Sequence, residues 1–268
     1  MPRVWRRFLC VFYYRPMDTT ERFSDRVEDY VKYRPGYPDE LIPFLHDAIG
    51  LMPTWTVADV GSGTGLLSRL FLDYGNRVFG VEPNAAMRFA GSECLREYGR
   101  FHAVGGTAEA TTLKGRTINL VAAGQAFHWF DALAARTEFQ RILVPGGFAA
   151  LVWNDRKIDA TPFLEQYEAL LLSEGIDYAA VNHRNVDAAQ LGAFFGAEPF
   201  AVQEFQNRQV FDWDGLYGRA MSSSYIPGPG HERHGAFVEK LRGLFDRNAQ
   251  DGLVAFEYDT RLYYGRLT

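Results

Sequence analysis

The stretch Val57-Ala58-Asp59-Val60-Gly61-Ser62-Gly63-Thr64-Gly65 constrains the fold more than any other part of the chain. An apolar run carrying an acid passes through glycines at alternate positions and enters an amphipathic segment, Leu66 to Tyr74. That pattern predicts a strand, a tight turn and a helix. Glycines at such a turn accept positive φ and let a ligand approach the bare backbone. The spacing separates the possible ligands. A dinucleotide fingerprint asks for G-x-G-x-x-G, and Leu66 stands where its third glycine belongs. No Gly-Lys-Ser/Thr follows, so the loop is not a phosphate-cradling P-loop.

A second strand is expected at Arg77 to Val81, with Glu82 at its tip. An acid there suits a ribose diol, because one carboxylate accepts from both hydroxyls. Ile118 to Ala123 is a continuous apolar run, which predicts a strand buried on both faces. Ligands of open α/β sheets bind outside the carboxyl ends of the strands. The residues that follow, Gly124-Gln125-Ala126-Phe127-His128-Trp129-Phe130, are therefore expected at the site.

The chain has 268 residues, 47% of them hydrophobic, which suffices for one α/β domain with an insertion. A formal charge of −5 lacks the basic footprint of a nucleic-acid binder. No run approaches the roughly 18 apolar residues that span a bilayer. Cys10 and Cys94 offer neither a disulfide framework nor metal spacing, and a reduced cytoplasmic location is expected. Residues 1–16 are basic and aromatic, without a cleavage site, and Met17-Asp18-Thr19-Thr20 reads as a start. We expect 1–16 to be an extension, the alternative being a membrane-surface arm.

Helices are expected at Thr20 to Tyr33, Asp39 to Ile49 with Asp39 as its cap, Asn84 to Tyr98, Ala132 to Leu143, Trp213 to Ser222 and His231 to Asn248. Thr161 to Phe195 is mostly helical in pattern. Phe101 to Val104, Phe148 to Trp153, Phe200 to Trp213 and Leu253 to Leu267 read as strands, the last two as an antiparallel pair at one edge. His231 and His234 stand three apart with no third ligand in view, so no metal site is assigned.

The residues Asp59 to Gly65, Val81-Glu82-Pro83-Asn84 and Leu143-Val144-Pro145-Gly146-Gly147, in that order, resemble the class I S-adenosylmethionine-dependent methyltransferases. Tyr33-Arg34-Pro35-Gly36-Tyr37-Pro38, Ala126 to Phe130 and Arg219 to Pro227 are similar to the small-molecule branch that includes trans-aconitate methyltransferases. The resemblance runs from Glu21 to the end and implies a Rossmann-like α/β fold. Its seven-stranded sheet is mostly parallel, with an antiparallel edge and a helical insertion. It further implies one domain over 17–268, with a cofactor core at about 54–155, a helical cap at about 160–197 and a C-terminal part at about 198–268.

The implied cofactor is S-adenosyl-L-methionine, held by Asp59, Gly61, Ser62, Gly63, Glu82 and Pro83, with Ala108 and Gln125 completing the lining. Many relatives place an adenine-binding Asp where this chain has Thr107, so Thr107 or Glu109 takes that contact here. Arg34 either pairs with the cofactor carboxylate, with Tyr30 or Tyr33 packed on it, or is a solvated turn residue. His128 is either a general base or a packed histidine beside Trp129. Arg219 is either a clamp for an acidic acceptor or a surface ion pair. The acceptor is expected to be a small acid or hydroxylated metabolite. A protein or nucleic-acid acceptor is the alternative, as is a non-catalytic cofactor-binding protein. An NAD(P)-linked oxidoreductase is disfavoured by the glycine spacing.

Overall fold

Side chains alternate across a strand, and Val57 and Ala58, on opposite faces of β1 (Thr56–Val60), are both fully buried. A strand buried on both faces belongs inside a sheet covered by helices. In the computed structural model, which describes residues 33–176, 178, 188–196, 199–223 and 225–267, β1 lies inside the sheet. It pairs in parallel with β2 (Arg77–Val81) and with β4 (Ile118–Gly124). β3 (Phe101–Val104) continues the parallel sheet beyond β2, and β5 (Leu143–Arg156) continues it beyond β4. β7 (Val254–Arg266) runs antiparallel to β5, and β6 (Phe200–Phe211) forms the edge. The order is β3-β2-β1-β4-β5-β7-β6 among the described residues. This is the expected seven-stranded sheet, parallel except at one side.

Strand order reverses between β1 and β4, and that switch point opens a crevice at the strands' carboxyl ends. Two helical layers close the faces. Leu45 of α1 (Leu41–Ile49) and Phe71 of α2 (Leu66–Tyr74) pack with Val57 and Leu120. On the other face Phe139 of α4 (Ala132–Ile142) and Phe194 of α6 (Ala188–Phe195) pack with Val60 and Val121. α3 (Ala85–Cys94) follows β2. Each such fully buried Leu or Phe contributes about 1.5–3 kcal/mol relative to exposure.

A third core sits to one side. Tyr167 of α5 (Pro162–Glu174), Leu216 of α7 (Trp213–Met221) and Phe237 of α8 (His234–Asn248) pack around Phe256 of β7. The support for this cap is a long strand pair. Val152 of β5 is level with Gly124, the last residue of β4, and four more residues, Trp153 to Arg156, continue against β7 alone. The β5–β7 arm thus rises past the crevice and carries the cap beside it.

Several expected boundaries move. Asp39 does not cap α1; Glu40 takes that place with helical φ and no side-chain cap bond. α3 ends at Cys94 rather than Tyr98, because Leu95 leaves helical geometry with ψ 15. Pro145-Gly146-Gly147 does not precede β5 but lies within it. There the pairing shifts from Ile118↔Leu143 to Leu120↔Phe148, and Gly146 at φ 76 absorbs the bulge. α8 starts at His234, three residues late; the His231 ring accepts from Arg233 N instead of opening the helix. The expected helix at Thr20 to Tyr33, apart from Tyr33, and the extension 1–16 lie outside the described residues.

Candidate active site

The glycine loop is shaped by its backbone. Gly61, Gly63 and Gly65 all have positive φ, at 70, 55 and 88. At Gly61 there is no room for anything larger: a Cβ would stand 2.5 Å from the Cβ of Ala126. The loop closes on β2, where Val81 O accepts from Gly61 N at 2.8 Å and from Ser62 N at 3.1 Å. Glu82 stands next to it, 8% exposed. Its Oε2 accepts from Gly63 N at 3.0 Å and its Oε1 from Asn84 N at 2.9 Å. Burial raises the Glu82 carboxyl above its ordinary range; the N–H groups of Asn84 and Gly63, and then Arg88, pull it back. Two bonds fix the carboxylate, and each oxygen keeps a lone pair for a ligand hydroxyl.

Asp59 lies beneath the loop and is 1% exposed. Ser68 Oγ donates to its Oδ2 at 2.7 Å, while Oδ1 is buried with no hydrogen-bond partner. Burial pushes its carboxyl up to about 7, against the opposing bonds from Ser68.

Above the loop is a cavity of about 280 Å³. Gly61, Gly63, Glu82 and Pro83 form one side, Thr107, Ala108 and Glu109 a second, and Gln125, Trp129 and Phe130 a third. The structure thus brings eight of the expected cofactor contacts to one cavity, with Gly124, Ala126, Trp129 and Phe130 from the stretch after β4. Gln125 has φ 54 and uses its side chain on the framework: its Oε1 accepts from Asn154 N at 2.7 Å and its Nε2 donates to Asn154 O at 3.4 Å. Glu109 Oε1 accepts from Asp131 N at the start of α4. Ser62 turns its N–H to β2 and does not line the cavity.

His128 is likewise absent from the wall that its neighbours Trp129 and Phe130 form. Its ring packs at 4.4 Å from Trp129 and 5.3 Å from Trp153. Tyr33 and Arg34 belong to a strap rather than to the cavity lining. The strap runs from Gly218 of α7, against which the Tyr33 ring sits, to Gly124, against which Tyr37 packs. Asn154 Nδ2 and Asn207 Nδ2 both donate to Gly36 O in its middle. Arg34 Nη2 donates to Ser222 O at 3.1 Å, a tertiary bond and not the role of a solvated turn. Arg219 is not on the surface: it is 6% exposed inside the cap. The surface ion pair is therefore excluded for it.

A family model described as a methyltransferase domain matches residues 58–151. An uncharacterised methyltransferase of Geobacillus kaustophilus is 30% identical over 162 residues, 57% of this chain and 70% of that protein. The chain belongs to the class I S-adenosylmethionine-dependent methyltransferases. Another similar protein, an uncharacterised methyltransferase of Schizosaccharomyces pombe, is 31% identical over 156 residues, 56% of this chain. The match covers 58% of that protein, so the chain spans little more than half of its length. A solved structure from Anaeromyxobacter dehalogenans, assigned as a type II methyltransferase, shares the fold at TM-score 0.61 and 21% identity. It covers 88% of this chain and 98% of its own.

The cofactor of this family is S-adenosyl-L-methionine, and the cavity of the methyltransferase fits it on two counts. Gly61 and Gly63 line it with bare backbone, and Glu82 presents free lone pairs to it. Met87 and Asn84 also line the cavity and were not among the expected contacts. The sequence carried a signal for Asn84, whose Oδ1 caps α3 by accepting from Ala86 N and Met87 N; it carried none for Met87. Among the described residues no group of three or more His, Cys, Asp or Glu could hold a metal, and no helix is long and apolar enough to cross a membrane.

Proposed function

We propose that this methyltransferase transfers the methyl group of S-adenosyl-L-methionine to a small-molecule acceptor, a carboxylic acid or a hydroxylated metabolite, by in-line displacement. The observation that carries the reading is the cavity at the β1/β4 switch point: about 280 Å³, with Glu82 and the glycines on one side and Trp129 and Phe130 on the other. Such a volume is on the scale of a small-ligand site. The net charge of −5 supports a small molecule over a nucleic acid. The exposed free thiol of Cys94 agrees with a cytoplasmic setting.

The bound cofactor supplies an electrophilic methyl group, so the protein's part is alignment and exclusion of water. Glu82 and the loop backbone hold one end of the site. Trp129 and Phe130 form an apolar wall at the other, where the acceptor enters. A carboxylate acceptor needs no base, and the packing of His128 between Trp129 and Trp153 supports that route. A hydroxyl acceptor would assign His128 the proton. A screen of small acids, phenols and amines with methyl-labelled cofactor tests the reading. Transfer to an acid or a phenol supports it, and transfer only to amines, added protein or nucleic acid overturns it.

A further inference from the structure

Arg219 poses a physical problem inside the cap. It is 6% exposed, and a buried charge is costly unless paired. Its Nη1 donates to Ser223 Oγ at 3.1 Å, and its guanidinium lies 5.7 Å from the centre of the Phe256 ring. Its Nε is buried with no hydrogen-bond partner. Among the described residues no carboxylate pairs with it; the groups that face it are the phenols of Tyr258, Tyr225 and Tyr167.

A second guanidinium shares the cluster. Arg156, at the end of β5, pairs with Glu168 at 2.5 Å and donates to Tyr178 OH at 3.1 Å. Glu168 is already shared, since Tyr178 OH donates to it at 2.8 Å. Arg156 Nη1 is buried and has no hydrogen-bond partner. Tyr225 faces both arginines. Its ring meets Tyr178 edge-on at 4.9 Å, and it is half-buried where Arg219 is closed off. Burial alone would raise its phenol; the facing guanidinium groups of Arg219, Arg34 and Arg156 outweigh that and lower it. Among the described residues Arg156 has the Glu168 carboxylate and Arg219 has none, which leaves the Arg219 charge and two buried N–H donors, Arg219 Nε and Arg156 Nη1, unanswered.

We propose that Arg219, with Arg156 and Tyr225, anchors a carboxylate of the acceptor that is not the group being methylated. One uncompensated charge matches a carboxylate, and the guanidinium fork matches its planar geometry. The separation assigns the handle a role distinct from the nucleophile. Arg156 lies four residues past Val152, the partner of Gly124 at the cavity. At about 3.3 Å per residue the offset along the strand is roughly 13 Å. A carboxylate held by a guanidinium fork also has its lone pairs engaged and is a poorer nucleophile. The acceptor is then bifunctional, with an acidic handle in the cap and a methyl-accepting atom facing the cofactor. This rests on the small-molecule methyltransferase reading above.

Sodium acetate, the smallest such handle, tests the anchor on the full chain saturated with S-adenosylhomocysteine. Acetate should raise the melting temperature in a saturable way, and acetamide and sodium chloride at equal concentration should not. In Arg219→Met the acetate response should weaken by about tenfold or more. The melting temperature of Arg219→Met without acetate should equal or exceed that of wild type, because an unanswered buried charge has been removed. Arg219→Lys, which keeps the charge but loses the fork, should show an intermediate acetate affinity. No acetate response in wild type, an unchanged response in Arg219→Met, or a melting temperature several degrees lower for that variant would each overturn the anchor. Calorimetry with S-adenosylhomocysteine separates the two claims. If the cofactor product binds but acetate does not protect, only the anchor falls; if it does not bind wild type, the methyltransferase reading falls.

Discussion

The Glu82 carboxylate accepts the backbone N–H of Gly63 at 3.0 Å, so the glycine loop and the tip of β2 form one hydrogen-bonded unit. The acid that offers lone pairs to a ribose also fixes the loop that admits the ligand. Binding geometry and loop geometry therefore change together when either partner is altered.

Gly61→Ala should expose that coupling. A left-handed φ of 70 costs a non-glycine residue about 1–2 kcal/mol, and the added Cβ would stand 2.5 Å from Ala126 Cβ. The melting temperature should fall and S-adenosylhomocysteine binding should be lost or much weakened by calorimetry. A wild-type melting curve with wild-type affinity would show that the loop is not held as described.

Asp59 makes stability depend on pH. Its carboxyl is raised by burial from 3.8 in the unfolded chain to about 7 in the fold. Between those values the folded state holds a proton that the unfolded state has lost, so this group's contribution falls as pH rises from about 4 to 7. Asp59→Asn removes the penalty and keeps an acceptor for Ser68. At about pH 8 it should be the more stable chain, by up to a few kcal/mol at about 1.4 kcal/mol per unit. The difference should vanish near pH 4. Denaturant titration at the two pH values checks both, and a variant less stable at pH 8 would refute the assignment.

The fold was legible where local pattern and spacing carry it. Three glycines with positive φ, the buried run of β4 and the β-rich β7 each fell where their patterns put them. Eight cavity residues followed because sheet topology places loop ends together. Helix and strand ends were less legible, since Leu95 leaves its helix and Pro145-Gly146-Gly147 bulges inside β5 for tertiary reasons. Of the cap cluster the sequence singled out Arg219, but not its partners. Arg156 and Tyr167 lie far apart in sequence from Arg219 and meet only because β5 outruns β4. Gln125 was read as a ligand contact, but its side chain is committed to Asn154, a pairing that no sequence period announces.

Once a substrate is in hand, two substitutions distinguish the acceptor chemistries. For an acceptor with an acidic handle and no need of a base, Arg219→Ala should raise KM by about 10- to 100-fold, and His128→Ala should leave kcat nearly unchanged. For a hydroxyl acceptor, His128→Ala should lower kcat by about 10²–10⁴-fold. Steady-state kinetics on both variants decides between them, and wild-type turnover by both would displace the acceptor from the cap.

Residues 1–16 carry no motif and precede Met17. A chain that begins at Met17 should keep its melting temperature and its affinity for S-adenosylhomocysteine. A marked loss of either would assign the segment a packing role.

The central claim is that the cavity between the glycine loop and Glu82 binds the cofactor, and calorimetric titration of S-adenosylhomocysteine tests it most directly. Wild type should bind with one-to-one stoichiometry. Glu82→Ala should bind more weakly by about 1.5–3 kcal/mol, the worth of a hydrogen bond to a charged group, with an unchanged circular dichroism spectrum. No binding to wild type, or equal affinity in a folded Glu82→Ala chain, would contradict the account.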